Sequence, residues 1–212
     1  MTQAEIIAKN KAILLKYLPA GAVEDIFTYL YTNKIHFKIV NDRKTKLGDY
    51  RWPQLHFRYH QITINGGLNP YAFLFVLLHE MAHHAVYLRY QTAVQPHGLE
   101  WQAQYRSMLL QRIGHGLFPN DVEKAVTEYC ASLPLKASAE HKVMNLLWHY
   151  DPDYGHSTQV LLKTLPIGTQ FLTADGRAFR LLEKRRTRYK CLSLPDGLIY
   201  LVHGDAKVTP ME

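Results

Sequence analysis

LLHEMAHHAV, residues 77–86, sets His79, Glu80 and His83 in an H-E-x-x-H pentad with a further histidine, His84, alongside. The chain holds 12 histidines in 212 residues, and at such a composition chance supplies only about 0.03 pentads of this kind. The pentad lies in YAFLFVLLHEMAHHAVYLRY, an uninterrupted run without Gly or Pro. Pro70 stands where a helix begins, and Asn69 is placed to cap it. The first half of the run is apolar nearly all round, so the predicted helix is buried. A buried helix has no solvation reason to hold two imidazoles and a carboxylate, and each of them needs a partner. Residues i and i+4 stand on one helix face about 6 Å apart along the axis, so His79 and His83 can offer two ring nitrogens to a single ion. Glu80 projects from the adjacent face, where it can reach a water beside a metal without being a ligand, as a general base must. His84 points away from this pair and is expected to play a structural or supporting role.

Two histidines do not complete a catalytic zinc site, which takes three protein ligands and keeps one position open. Arg89 stands where the metzincin spacing requires a third histidine, so that subclass is excluded. The segment QPHGLEWQ offers two candidates, Glu100 and His97. Glu100 would suit a thermolysin-like arrangement. His97 follows Pro96 and opens a second helical run, HGLEWQAQYRSMLLQRIG, after a connection over residues 90–95. Trp101 is expected to pack beneath the site rather than to touch substrate.

Outward from this centre, AEIIAKNKAILLKYL carries Ile6, Ile7, Ile13, Leu14 and Leu18 at spacings that predict one apolar helical stripe. A second helix is predicted from Ala22 to Tyr31 after Pro19. The period changes to two in IHFKIV and again in HFRYHQITIN, residues 56–65, which predicts two strands of one sheet. Between them NDRKTKLGDYRWP is expected to be a polar loop. DVEKAVTEYCASL and SAEHKVMNLLWHY predict two more amphipathic helices, and Asp151-Pro-Asp-Tyr-Gly marks a boundary. Beyond it TQFLT, RAFRLLEK, RYKCLSL and LIYLV are short strand-like runs separated by Asp175-Gly176 and Pro195-Asp-Gly197. The expected architecture is an α+β domain over residues 1–155, followed by a small, barrel-like all-β module over 156–212.

The formal charge of +7 favours acidic partners such as nucleic acid without saying which face would meet them. In the β module, EKRRTRYK carries Lys184, Arg185, Arg186, Arg188 and Lys190 against Glu183, a local excess of basic charge suited to a phosphate backbone. The same stretch would equally serve as a basic edge strand that resists aggregation. Cys130 and Cys191 are far apart, with no C-x-x-C, which argues against a disulfide framework or a thiolate zinc site. The N-terminal stretch is interrupted by polar residues every few positions, unlike a signal peptide or membrane span. A reduced, cytoplasmic chain is the expectation.

LLHEMAHHAV, PHGLEW and DRKTKLG followed by ITINGGL together resemble the SprT-like metalloproteases, the family that includes the DNA–protein crosslink protease Spartan. PHGLEW is similar to the family's downstream H-G-x-x-[FW] element, and DRKTKLG to its upstream R-x-x-x-x-G. The resemblance covers roughly residues 1–115. It implies a zincin-like domain in which His79, His83 and His97 bind Zn2+, Glu80 is the catalytic base, and peptide bonds are hydrolysed by zinc-activated water, with DNA-associated proteins as a substrate class. The oxyanion-stabilising residue is not selected by any spacing. Many members carry a cysteine-rich zinc ribbon after the protease domain, which two distant cysteines cannot build. A rival reading is a nucleic-acid-associated binding protein whose zinc is structural or vestigial.

Overall fold

The computed structural model describes residues 2–43, 45–131, 133–154 and 158–211. It divides into two compact units, Met1–Pro152 and Asp153–Glu212. The boundary expected between residues 155 and 156 lies outside the described residues. The first unit mixes helices and strands in the α+β manner, and the second is a β-sheet.

Helix α1 (Gln3–Leu14) starts with a reciprocal cap. The Glu5 N–H donates to the Thr2 hydroxyl at 3.3 Å, and the Thr2 N–H donates to the Glu5 carboxylate at 2.8 Å. The predicted apolar stripe is only partly used. Leu14 and Leu18 reach the core, whereas Ile6 and Ile13 are exposed. Spacing shows which side chains share a face, but it does not show whether a neighbouring element covers that face. Helix α2 (Val23–Thr32) buries Val23, Ile26, Phe27 and Leu30.

The sheet of this unit has three strands, β1 (His36–Val40), β2 (Gly48–Arg51) and β3 (Gln61–Asn65), in the order β1-β3-β2. Strand β1 runs parallel to β3, and β2 runs antiparallel to it with Gly48 opposite Ile64 and Tyr50 opposite Ile62. Two expectations are corrected here. Residues 41–53 are not all loop, because they contain β2. The run 56–65 is a strand only from Gln61, because Gln54 and Phe57 exchange backbone hydrogen bonds of 2.6 and 2.9 Å that turn the chain away from the sheet.

Strand β2 has little local propensity, since Gly and Asp are poor strand formers. It is held from outside by Arg43. The Arg43 guanidinium donates to the Asn65 side-chain oxygen (2.9 Å) and to the Thr63 hydroxyl (2.9 Å). Asn65 in turn donates to the carbonyls of Arg43 (3.2 Å) and Lys46 (3.1 Å). Asn65 is 1 % exposed, and its amide is bonded on both sides, which fixes the approach to β2 against β3.

Helix α3 (Pro70–Tyr90) has Pro at its first turn, where the missing N–H costs no hydrogen bond. The Asn69 side chain accepts from the N–H groups of Tyr71 (3.1 Å) and Ala72 (3.0 Å) and donates to the Leu147 carbonyl (2.8 Å) and to Asp151 (2.6 Å). One buried amide therefore caps α3 and ties it to the end of helix α6 (Ala137–Trp148). Phe73, Leu74, Leu77, Leu78 and Met81 are essentially inaccessible and centre the core. Helices α4 (Leu99–Leu110), α5 (Asn120–Tyr129) and α6 (Ala137–Trp148) complete the unit. The buried hydroxyl of Tyr105 on α4 donates to the Phe75 carbonyl of α3 at 3.2 Å.

The second unit has six strands, β4 (Val160–Leu161), β5 (Gln170–Thr173), β6 (Ala178–Glu183), β7 (Arg188–Ser193), β8 (Ile199–His203) and β9 (Lys207–Pro210). Their order is β4-β9-β5-β6-β7-β8. Leu162, Phe171, Phe179, Leu181, Cys191 and Val208 form its core. Among the described residues, β4 and β8 are the two edges of the sheet and no strand pairing joins them into the expected barrel; β4, two residues long, offers almost no ladder. Cys130 and Cys191 are both buried and free. Among the described residues, no helix is long and apolar enough to cross a membrane.

Candidate metal centre

His79 and His83 lie one helical turn apart on α3, and His97 reaches them from the segment just before α4. Nε2 of His97 is 3.1 Å from Nε2 of His79 and 3.0 Å from Nε2 of His83. Ligand atoms of all three rings fall within 4.8 Å of one another. A ring nitrogen carries either one proton or one lone pair, so hydrogen bonding can satisfy at most one of the two approaches to His97. A tetrahedral ion with Zn–N bonds of about 2.0–2.1 Å holds ligand nitrogens about 3.4 Å apart and satisfies every lone pair together. The donor set therefore fits a divalent cation better than it fits itself.

His97 pays a local cost to stand there. Its φ is 61°, a left-handed conformation uncommon for a residue with a β-carbon. Such backbone persists where surrounding structure demands it and clusters at functional sites. The residue sits two positions before α4, whose N-cap is Gly98, rather than inside the helix. Glu100, the other ligand candidate, is exposed in the first turn of α4 and is not among the converging residues.

Trp101 is buried, with its ring centroid 4.5, 5.2 and 4.6 Å from those of His79, His83 and His97. Its indole N–H donates to the His79 carbonyl at 3.4 Å. It is a packing floor for the imidazoles, as the sequence suggested. Burial, reinforced by the charges of its neighbours, lowers the pKa of His79 to about 3 and that of His83 to about 4, and burial also lowers that of His97. Neutral rings are the form that ligates metal.

Glu80 is buried beside them. Burial first, and then the negative charge of Asp49, raises its pKa to about 8, while a backbone hydrogen bond from Tyr50 and the charges of Arg43 and Lys46 oppose the rise. A cation among the three imidazoles would oppose it further. Gly48 of β2 is packed directly against this carboxylate. A Cβ at residue 48 would lie 2.5 Å from Oε1 and 2.8 Å from Cγ of Glu80, and 2.9 Å from Cγ1 of Val76.

His84 is turned into the protein interior. It is fully buried, and its Nδ1 lies 2.8 Å from the Tyr29 hydroxyl. Its ring meets that of His60 at 4.7 Å and 88°, and Nδ1 of His60 lies 2.8 Å from the Tyr50 hydroxyl. This polar and aromatic stack supports β2 from behind. Gly48 closes the R-x-x-x-x-G stretch that the sequence singled out, whereas Tyr50 and Trp52 were not singled out, because a short polar stretch with no periodicity gives no local sign that it borders a cleft.

The first unit is thus an α+β domain whose buried helix and following loop bring three imidazoles together beside a carboxylate. Residues 20–122 match the model of the SprT-like family, a zinc metalloprotease-related family. No curated protein and no solved structure matches the chain.

Proposed function

We propose that this chain is a zinc-dependent endopeptidase with a zincin-like first unit, in which His79, His83 and His97 hold the ion and Glu80 is the general base. The observation that carries this reading is the convergence of three Nε2 atoms beside a buried carboxylate on the wall of one open cleft. Among the described residues the converging group has three members, as catalytic zinc sites do, whereas structural sites close with four. A zinc ion would supply Lewis-acid activation of water and of the scissile carbonyl. Glu80 accepts the proton of the attacking water and returns it to the leaving amine. Its position between Gly48 and the helix restricts the carboxylate to the cleft side. The deciding experiment is metal analysis coupled to degradation of a loosely folded protein. Zinc at one equivalent with zinc-dependent cleavage is expected, and a metal-loaded protein that cleaves nothing would count against the reading.

Gly48→Ala gives a separate check on how Glu80 is held. The added methyl is expected to displace the carboxylate and to lower hydrolysis on the order of 10²-fold. Overpacking of this kind costs about 1–3 kcal/mol of stability. Turnover, zinc content and thermal midpoint measured together separate the effects, and unchanged turnover would show that the contact yields without consequence.

A DNA-linked role for the second unit rests on its basic stretch. Lys184 donates to the Lys163 carbonyl (2.7 Å) and Arg185 pairs with Glu183 (3.1 Å). Lys184–Thr187 connects β6 and β7 rather than extending a strand, so only Arg188 and Lys190 alternate onto one face. Arg186 and Arg188 are exposed. The proposal is that these basic residues meet a phosphate backbone. Binding of duplex DNA to the full chain should then weaken with salt, and Arg186→Ala/Arg188→Ala should reduce the log–log slope by up to about 1.8. A salt-independent affinity, or none, would remove the DNA role and leave the peptidase.

A further inference from the structure

We infer that the cleft running from the three histidines past Trp52 and Tyr87 is a side-chain pocket that selects substrates with a large, uncharged apolar residue beside the cleaved bond. This inference rests on the peptidase reading above and adds the substrate class to it.

The cleft has a volume of about 540 Å³, within the range of about 300–1,000 Å³ found for small-ligand sites. It begins at His79, Glu80 and His83 and continues along the same side of α3 to Val86 and Tyr87, one turn further on. Tyr50, Trp52, Val94 and Pro96 also line it. The rings of Trp52 and Tyr87 are nearly parallel, 5.9 Å apart at 15°, and Tyr50 meets Tyr87 edge-on at 6.3 Å. Beyond the histidines, these aromatic and aliphatic side chains share the lining with Gln91, Thr92 and Gln95.

Charge narrows the choice of occupant. Among the described residues, no lysine or arginine lines the cleft, and the carboxylates that do are Glu80 and Asp49. Asp49 is already met by Lys46 at 2.7 Å and by Arg51 at 2.9 Å, so a cationic side chain would have to compete for it. An acidic side chain would meet two carboxylates, with Lys46 and Arg51 already paired to Asp49. Trp52 remains 38 % exposed at the mouth of the cleft, and that aromatic surface would leave water when an apolar side chain seats against it. Aromatic walls can also attract cations, and the test includes that outcome.

The test compares peptides that differ only in Phe, Leu, Gly, Lys or Asp on either side of the cleaved bond, with the zinc-loaded full chain. At one of the two positions Phe and Leu are expected to raise kcat/KM about 10–100-fold over Gly, Lys and Asp. Trp52→Ala, checked for zinc content and thermal midpoint, should shrink that ratio to within about threefold. Binding of the same peptides to the Glu80→Gln protein, followed by tryptophan fluorescence, gives a readout that needs no turnover. There the Phe peptide should bind about tenfold or more tightly than the Gly peptide.

Equal handling of all five peptides would overturn the pocket and leave the peptidase reading standing, as would a preference for Lys. A protein that cleaves none of them yet binds the Phe peptide selectively would keep the pocket and overturn the peptidase. An unchanged ratio in Trp52→Ala would overturn the pocket as drawn.

Discussion

Replacing Glu80 by Gln is expected to lower kcat/KM for peptide hydrolysis by about 10²–10⁴-fold while zinc stays bound. The amide has nearly the shape of the carboxylic acid but cannot accept the proton of the attacking water. The substitution should also be tolerated by the fold. Burial raises the Glu80 pKa to about 8 in the metal-free protein, so its side chain is mostly neutral at pH 7, and a neutral amide of the same size replaces it. The thermal midpoint of the metal-free protein should therefore change little, and zinc content should hold because Glu80 is not one of the proposed ligands, while turnover collapses. Wild-type rates from the Glu80→Gln protein would sink the proposed mechanism. Asp49, the other carboxylate of the cleft, is held by Lys46 and Arg51.

His97→Ala should have the second large effect, on metal affinity. Loss of a group that merely supports a ligand costs about 10–100-fold in affinity, so loss of a ligand is expected to cost more than about 100-fold. Glu100→Gln should leave affinity where it was, since Glu100 stands outside the converging group. A competitive zinc titration decides between them, and the reverse pattern would move the third ligand to Glu100.

Zinc removal by a chelator should also lower the thermal midpoint, because binding to the native state alone stabilises it. The metal-free protein has opposing pH dependences. The native pKa values of His79 and His83, about 3 and 4, lie below the unfolded value of 6.5, so the unfolded chain binds more protons and stability falls as pH drops below 6.5 towards 4. Glu80, raised from 4.5 to about 8, binds its proton more tightly when folded, so its contribution falls as pH rises through that window. Between pH 4.5 and 6.5 the two trends oppose each other.

The site was legible in the sequence to an unusual degree because a helix converts spacing into direction. His79 and His83 four residues apart must share a face, and Glu80 beside them must not. Asn69 and Pro70 marked the start of α3 by local chemistry alone, and the structure begins the helix at Pro70. The bland apolar run likewise announced its own burial. The limits lay where local sequence is silent about neighbours. Ile6 and Ile13 keep helical spacing with Leu14, yet no element covers them. Lys184, Arg185 and Arg186 look like strand continuation, yet they form the connection between β6 and β7.

By itself, the sequence determined the histidine-bearing helix, its cap, the paired imidazoles and the carboxylate, together with the mixed helix-and-strand character of the chain, since each depends on contacts a few residues apart. The tertiary structure brings His97, the residue implied by the family resemblance, onto the paired imidazoles and leaves Glu100 outside the group, because a loop with one left-handed residue turns back onto α3. It also decided that Gly48–Arg51 is a strand, because Arg43, Thr63 and Asn65 hold it there rather than its own propensity. The aromatic wall of the cleft follows from that strand. Its residues come from separate segments, and long-range packing, which leaves no period in the sequence, is what brings them together.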